Sequence, residues 1–293
     1  MLQKISGLPK TFKIYIIEIP RGDMLLIQFL KVLTGLIIGL LTFNLFSFKK
    51  LLLGFLSFFC IVYFVYASNA IVDLRKDINH SVKKFRPLPA GKAKRNVVIF
   101  LVIINLFLAL FLSFLVDINL FIIISLLAIL CTVYNISSRH YLLESVIFFI
   151  CSGILPFLYG FLLVSSSIVI PFVLYLFIQG LFYSTHIHLK DVPDVVVDKK
   201  FGQKSLVTIL SINGLRKFIS ISEIFYIFLC ILCIIIFKEL YFAALLPNVF
   251  LFLKIHKCLK TNSYWEAYKN FLRITELTFI STAIIFYVAT YEG

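Results

Sequence analysis

Nine apolar runs, at about 24–46, 52–74, 97–116, 118–135, 143–164, 168–190, 218–237, 240–254 and 274–291, limit this chain to one kind of fold. A hydrocarbon core about 30 Å thick is crossed by a helix of about 20 residues, and the runs have that character. Lipid offers no partner to a backbone N–H or C=O, so each run has to close its own hydrogen bonds as a helix. Charged residues make up 14% of the chain against about 25% in soluble domains, which excludes a water-soluble globule. The first run follows a basic, polar start and carries no small-residue cleavage site, so it reads as a span and not as a removable signal. The expectation is an all-α, polytopic membrane bundle of about nine transmembrane helices. No linker or low-complexity tract interrupts it, which predicts a single domain over residues 1–293.

The basic residues orient the bundle. With a cytoplasmic N-terminus, the inner segments and their edges hold 24 of the 28 Lys and Arg, and the outer segments hold only Lys49, Lys50 and Lys238. That bias predicts N-in, C-out. The net charge of +14 is then a cytoplasmic collar facing anionic membrane lipid. No recognition module accompanies it, so nucleic acid is not an expected partner. The six cysteines lie mostly inside apolar runs and imply no disulfide framework. Cys230 and Cys233 form a C-x-x-C without a His or carboxylate beside it, the pattern of small buried side chains.

Acidic residues are few, 14 in all, and six polar positions form two clusters where an apolar run meets a basic loop. The first is Asn69, Asp73 and Asp77 in "SNAIVDLRKDINH"; the second is Asp191, Asp194 and Asp198 in "HLKDVPDVVVDKKFG". Steps of three and four put each set on one helix face. Carboxylates beside hydrocarbon cost several kcal/mol unless paired, protonated or bound to a cation. Both clusters end helices running toward the cytoplasm, where the macrodipole is negative and adds to the attraction for cations. A divalent metal fits, and Mg²⁺ takes one or two carboxylates and completes its shell with water and phosphate oxygens. Interfacial acidic patches neutralised by nearby Lys and Arg are the plainer alternative. Asp73 and Asp194 are 121 residues apart, as are Asp77 and Asp198, a hint of internal duplication in parallel orientation.

The loop after the first cluster, "HSVKKFRPLPAGKAKR", is stiffened by two prolines and can turn at Gly91. Lys83, Lys84, Arg86, Lys92, Lys94 and Arg95 bring positive charge beside the carboxylates, an arrangement able to clamp a departing polyanion.

These motifs resemble the UbiA superfamily of intramembrane prenyltransferases. "NAIVDLRKD" is similar to that family's first motif of Asn and Asp at steps of four, and "RPLPAG" to its following loop. "KDVPDVVVDKKFG" is similar to its second motif. Helix count and orientation agree. Ala70 stands where many members carry an Asp, and Val196 where an acidic residue is common. The quinone branch has Tyr then Lys four residues on; here Tyr134 is followed by Ser138, with Arg139 next to it as a substitute.

The resemblance implies a central cavity opening near the cytoplasmic face, in which a prenyl group passes from an allylic prenyl diphosphate to a hydrophobic or aromatic acceptor. Pyrophosphate leaves, with Mg²⁺ as cofactor. It implies Asp73, Asp77, Asp194 and Asp198 as the catalytic metal carboxylates, with Asn69 and Asp191 completing the ligand set. Lys83, Lys84, Arg86, Arg139 and Lys199 would neutralise the leaving group, and Tyr134 and Tyr66 would face the allylic cation. Arg21, and Lys31 within the first helix, are placed to meet an acidic acceptor or phosphate, or to snorkel to the interface. Their spacing puts His186 and His188 on different faces, against a joint metal site. Glu144, Glu223 and Glu276 are read as helix-end residues without a catalytic role. The implied setting is a bacterial inner membrane. An intramembrane terpene cyclase, transfer to a lipid or glycerol acceptor, a non-catalytic prenyl-lipid binder and a cation-coupled transporter are the alternatives. Nearly uncharged helix centres count against transport.

Overall fold

The computed structural model describes residues 9–43, 47–80, 82–136, 140–165, 167–195, 202 and 205–291. Among the described residues there is no strand, and nine helices are long and apolar enough to cross a membrane. They are α1 (Gly22–Phe43), α2 (Phe48–Val72), α3 (Arg95–Val116), α4 (Ile118–Ile136), α5 (Tyr141–Leu162), α6 (Ile170–Asp191), α7 (Leu206–Phe237), α8 (Leu240–Lys260) and α9 (Tyr264–Thr290). The largest differences from the sequence reading are α7 and α9, which start at Leu206 and Tyr264 and not near 218 and 274, and α8, which runs on to Lys260 and not to 254. The added turns hold Arg216, Lys217, Lys269 and Arg273. Helix geometry continues past the apolar stretch because charged side chains at a membrane edge extend to water without breaking the backbone ladder.

The chain divides into two compact units, residues 1–28 with 47–138, and residues 29–46 with 139–293. In the first, α2, α3 and α4 pack on one another, and the Ser57 hydroxyl donates to the Ala109 carbonyl (2.8 Å). Ser47 caps α2 by accepting from the Lys50 N–H. Asp117, extended between α3 and α4, accepts from the Asn119 N–H (2.8 Å) and pairs with Lys50 (3.6 Å). An N-terminal π-helical turn, Lys13–Glu18, joins a buried cluster of Ile14, Ile19, Tyr63, Ala67, Leu88, Ala93 and Val98, which ties the "RPLPAG" loop down onto α2 and α3. Outward-facing residues of α3, among them Phe100, Ile103, Phe107, Phe111 and Phe114, form an exposed apolar stripe at helical spacing. A stripe of that kind is stable against lipid and unstable against water.

In the second unit, α5 packs on α6, α6 on α7, and α8 on α9. The later part of α1 lies so close to α5 that a Cβ on Gly160 would stand 1.9 Å from the Val32 carbonyl oxygen, and one on Gly35 1.9 Å from that of Phe157. Small residues that let backbones touch are the usual device for packing helices without a hydrophobic drive between them. Three irregularities re-aim side chains. A π-helical turn, Phe149–Ile154, interrupts α5 just before Pro156; α6 tightens to 3₁₀ over Ile187–Asp191; and α8 opens as 3₁₀ over Leu240–Asn248, with Pro247 inside.

Candidate active site

The first aspartate motif is built at the C-terminus of α2. Asn69 lies in its last turn, and Asp73 is the C-cap, where the helix breaks and restarts as the short helix Leu74–Ile78. The Asn69 amide donates to Asp73 Oδ2 (3.1 Å), and Arg86 Nη1 donates to Asp77 Oδ2 (2.8 Å). Both carboxylates are buried. Arg86 is delivered by the proline loop: Pro87 O accepts from the Lys92 and Ala93 N–H groups, and Gly91 turns the chain at φ +70°. That left-handed conformation is cheap only for glycine. The Tyr15 hydroxyl accepts from the Lys94 N–H (2.9 Å), and the Tyr63 hydroxyl donates to the Tyr15 carbonyl (2.9 Å). His80 Nδ1 accepts from the Val82 and Lys83 N–H groups, which fixes the start of the loop. Burial and Arg21 pull the Arg86 guanidinium below its ordinary value, against the support of Asp77 and Asp73. A guanidinium starts so high that it keeps its charge at neutral pH.

The second motif is built where α6 tightens. The 3₁₀ turn ends at Asp191, and the Asp194 N–H donates to the Asp191 carbonyl (3.1 Å); both side chains are buried. His188 Nε2 meets the Ser145 hydroxyl (2.9 Å), and His188 Nδ1 stands 3.6 Å from Asp191 Oδ2. Neither of those last two atoms has a hydrogen-bond partner. Lys190 donates to Glu144 Oε1 (2.5 Å) and lies over the Phe148 ring. Donor atoms of Glu144, His188 and Asp191 come within 4.8 Å of one another. The donor set therefore fits a divalent cation, whose charge would satisfy Asp191 Oδ2 and offset the buried carboxylates.

A family model, the UbiA prenyltransferase family, matches residues 31–282. This chain belongs to that family. It is an integral, multi-pass membrane enzyme of the prenyltransferase class. The structure is similar to an apo UbiA homologue from Aeropyrum pernix K1, with TM-score 0.73, 15% identity and coverage of 88% of this chain and 97% of that one. It is similar to a UbiA homologue from Archaeoglobus fulgidus bound to DMAPP and Mg²⁺, with TM-score 0.71, 18% identity and coverage of 94% and 99%. A digeranylgeranylglyceryl phosphate synthase matches with TM-score 0.67, 23% identity and coverage of 94% and 98%. No curated protein sequence matches.

Within this UbiA protein the structure brings Asn69 to Asp73 and Arg86 to Asp77, and it sets Asp194 one turn from Asp191. Lys83 and Lys84 form a 3₁₀ turn beside Arg86; Arg21 adjoins α1 with φ 54°; Tyr134 is half-buried near the end of α4. Asp198, Lys199 and Arg139 lie outside the described residues. Two groups escaped sequence reasoning. Glu144, read as a helix-end residue, is buried against Lys190 and within metal-ligand reach of His188. Glu223, read the same way, sits inside α7 and pairs with His186 (3.1 Å) and His256 (2.5 Å). His186 and His188 do serve different partners.

Proposed function

We propose that this UbiA enzyme transfers a prenyl group from an allylic prenyl diphosphate to a hydrophobic acceptor, with release of pyrophosphate, and that both units act as one catalytic domain. The observation that carries the reading is the pair of buried aspartate motifs inside a family match of 252 residues. Asp73, Asp77, Asp191, Asp194 and Asp198 would hold Mg²⁺, with Asn69 keeping Asp73 in place. When bound, Mg²⁺ neutralises the diphosphate oxygens and makes them a better leaving group. Arg86, anchored on Asp77, together with Lys83, Lys84, Lys199, Arg139 and Arg21, supplies positive charge for pyrophosphate as the C–O bond breaks. The apolar helices keep water from the allylic cation, and Tyr134 is the aromatic face proposed to stabilise it. The ligands named for the Archaeoglobus fulgidus homologue support the substrate class.

An aromatic acceptor of the quinone-precursor type is the first choice. A glycerol-type lipid acceptor is the second, favoured by the likeness to the digeranylgeranylglyceryl phosphate synthase. The charge bias of the loops supports N-in, C-out and a reaction mouth toward the cytoplasm. A bacterial inner membrane is the proposed setting, although the relatives with a named source are archaeal. The test is pyrophosphate release by purified protein given Mg²⁺, an allylic diphosphate and candidate acceptors. Release that survives both Asp73→Ala and Asp194→Ala, in folded protein, would sink the reading.

A further inference from the structure

Lys31 is the anomaly of the second unit. It lies in α1 about 14 Å along the helix from Gly22, wholly buried inside a membrane span. Its ammonium donates to Ser152 Oγ (2.6 Å) and the Ser152 carbonyl (3.0 Å), and it stands 3.7 Å from the centre of the Tyr183 ring. The carbonyl is part of the π-helical turn in α5, the kind of distortion that turns a backbone oxygen out of its ladder. Among the described residues no carboxylate lies within ion-pair distance of Lys31. A lysine held at such depth by neutral groups alone is able to take up a negatively charged partner.

The groups beside it point the same way. Tyr175, Gln179 and Tyr183 step by four and share one face of α6. The Gln179 amide nitrogen and the hydroxyls of Tyr175 and Tyr241 are buried without a hydrogen-bond partner, and the Tyr241 ring packs edge-on against Tyr175. Lys31 meets this face of α6 at Tyr183, one turn from Gln179, and the face, with Tyr241 against it, offers an amide donor and two hydroxyls without a strong acceptor. What would complete it is an anionic oxygen. Eight residues of α6 separate Tyr183 from Asp191, about 12 Å. One diphosphate cannot touch both, whereas a diphosphate, its allylic carbon and an acceptor laid end to end cover that distance.

We propose that Lys31, with Gln179, Tyr175 and Tyr241, forms a seat for the anionic head of the acceptor, a carboxylate or a phosphate, and so determines acceptor specificity. The inference rests on the prenyl-transfer reading. Steady-state kinetics on wild type and Lys31→Met compare 4-hydroxybenzoate with its methyl ester, and an isoprenyl glycerol phosphate with the uncharged isoprenyl glycerol. Binding of farnesyl diphosphate with Mg²⁺ is measured in parallel. Wild type should favour one anion over its neutral partner by about tenfold or more in kcat/KM, and Lys31→Met should lose that preference through KM. Which pair responds separates a carboxylate from a phosphate head. Diphosphate binding should stay within about twofold. Unchanged discrimination in Lys31→Met, or no anion preference in wild type, overturns the seat and leaves Lys31 as a clamp between α1 and α5. Loss of Mg²⁺-dependent diphosphate binding in wild type overturns the reaction reading and the seat together. If Lys31→Met does not fold, Gln179→Leu carries the same test, and full anion preference in that variant overturns the seat.

Discussion

At the scale of single residues, Asp77 and Asp191 differ: Asp77 is held by Arg86, and Asp191 keeps one oxygen without a hydrogen-bond partner. Arg86→Ala therefore leaves the buried Asp77 carboxylate unpaired. The half-open position of Arg86 moderates the cost to about 1–3 kcal/mol, to be read as a lower Tm together with weaker diphosphate binding. Asp191→Asn should lower pyrophosphate release by about 100-fold or more with Tm nearly unchanged, because Asp191 Oδ2 accepts no hydrogen bond within the fold. Glu223→Gln should do the reverse, because it leaves one acceptor oxygen for the two imidazoles of His186 and His256 while touching no proposed substrate group. Equal losses of rate and stability in both variants would count against this division. The aspartates were legible from steps of three and four alone, since few patterns put carboxylates at an apolar boundary. The partners of Glu144, Glu223 and Lys31 were not, because Lys190, His256 and Ser152 come from other helices and no local periodicity announces such pairings.

At the scale of elements, helix existence followed from hydropathy, and helix ends did not. Residues 206–217 carry Arg216 and Lys217 and fall outside any apolar window, yet they continue α7, with a kink at Ser211 (φ 63°). The π-helical turn of α5 and the 3₁₀ turn of α6 had no signal in the sequence, although they aim Ser152 and Asp191. Close contact between α1 and α5 makes a sharp prediction. Gly160→Ala drives a methyl group into the Val32 carbonyl and should cost about 1–3 kcal/mol or prevent folding. Gly91→Ala meets nothing within 4 Å and should cost only about 1 kcal/mol, for its left-handed backbone. Thermal unfolding in detergent ranks the two, and the reverse order would refute the packing argument.

At the scale of the whole molecule, nine candidate spans among the described residues and the split of Lys and Arg support the proposed N-in, C-out topology. Lys238→Cys should react with an impermeant maleimide added outside intact cells, and Lys92→Cys only after permeabilisation. Labelling of both from one side would invert or break the topology. The measurement that tests the central claim most directly is equilibrium binding of a prenyl diphosphate to purified protein, with and without Mg²⁺, in wild type, Asp73→Asn and Asp194→Asn. The expected result is binding in wild type that EDTA abolishes, weakened about 10- to 100-fold by each substitution. Binding of equal strength in all three proteins, or without any divalent cation, would contradict the account.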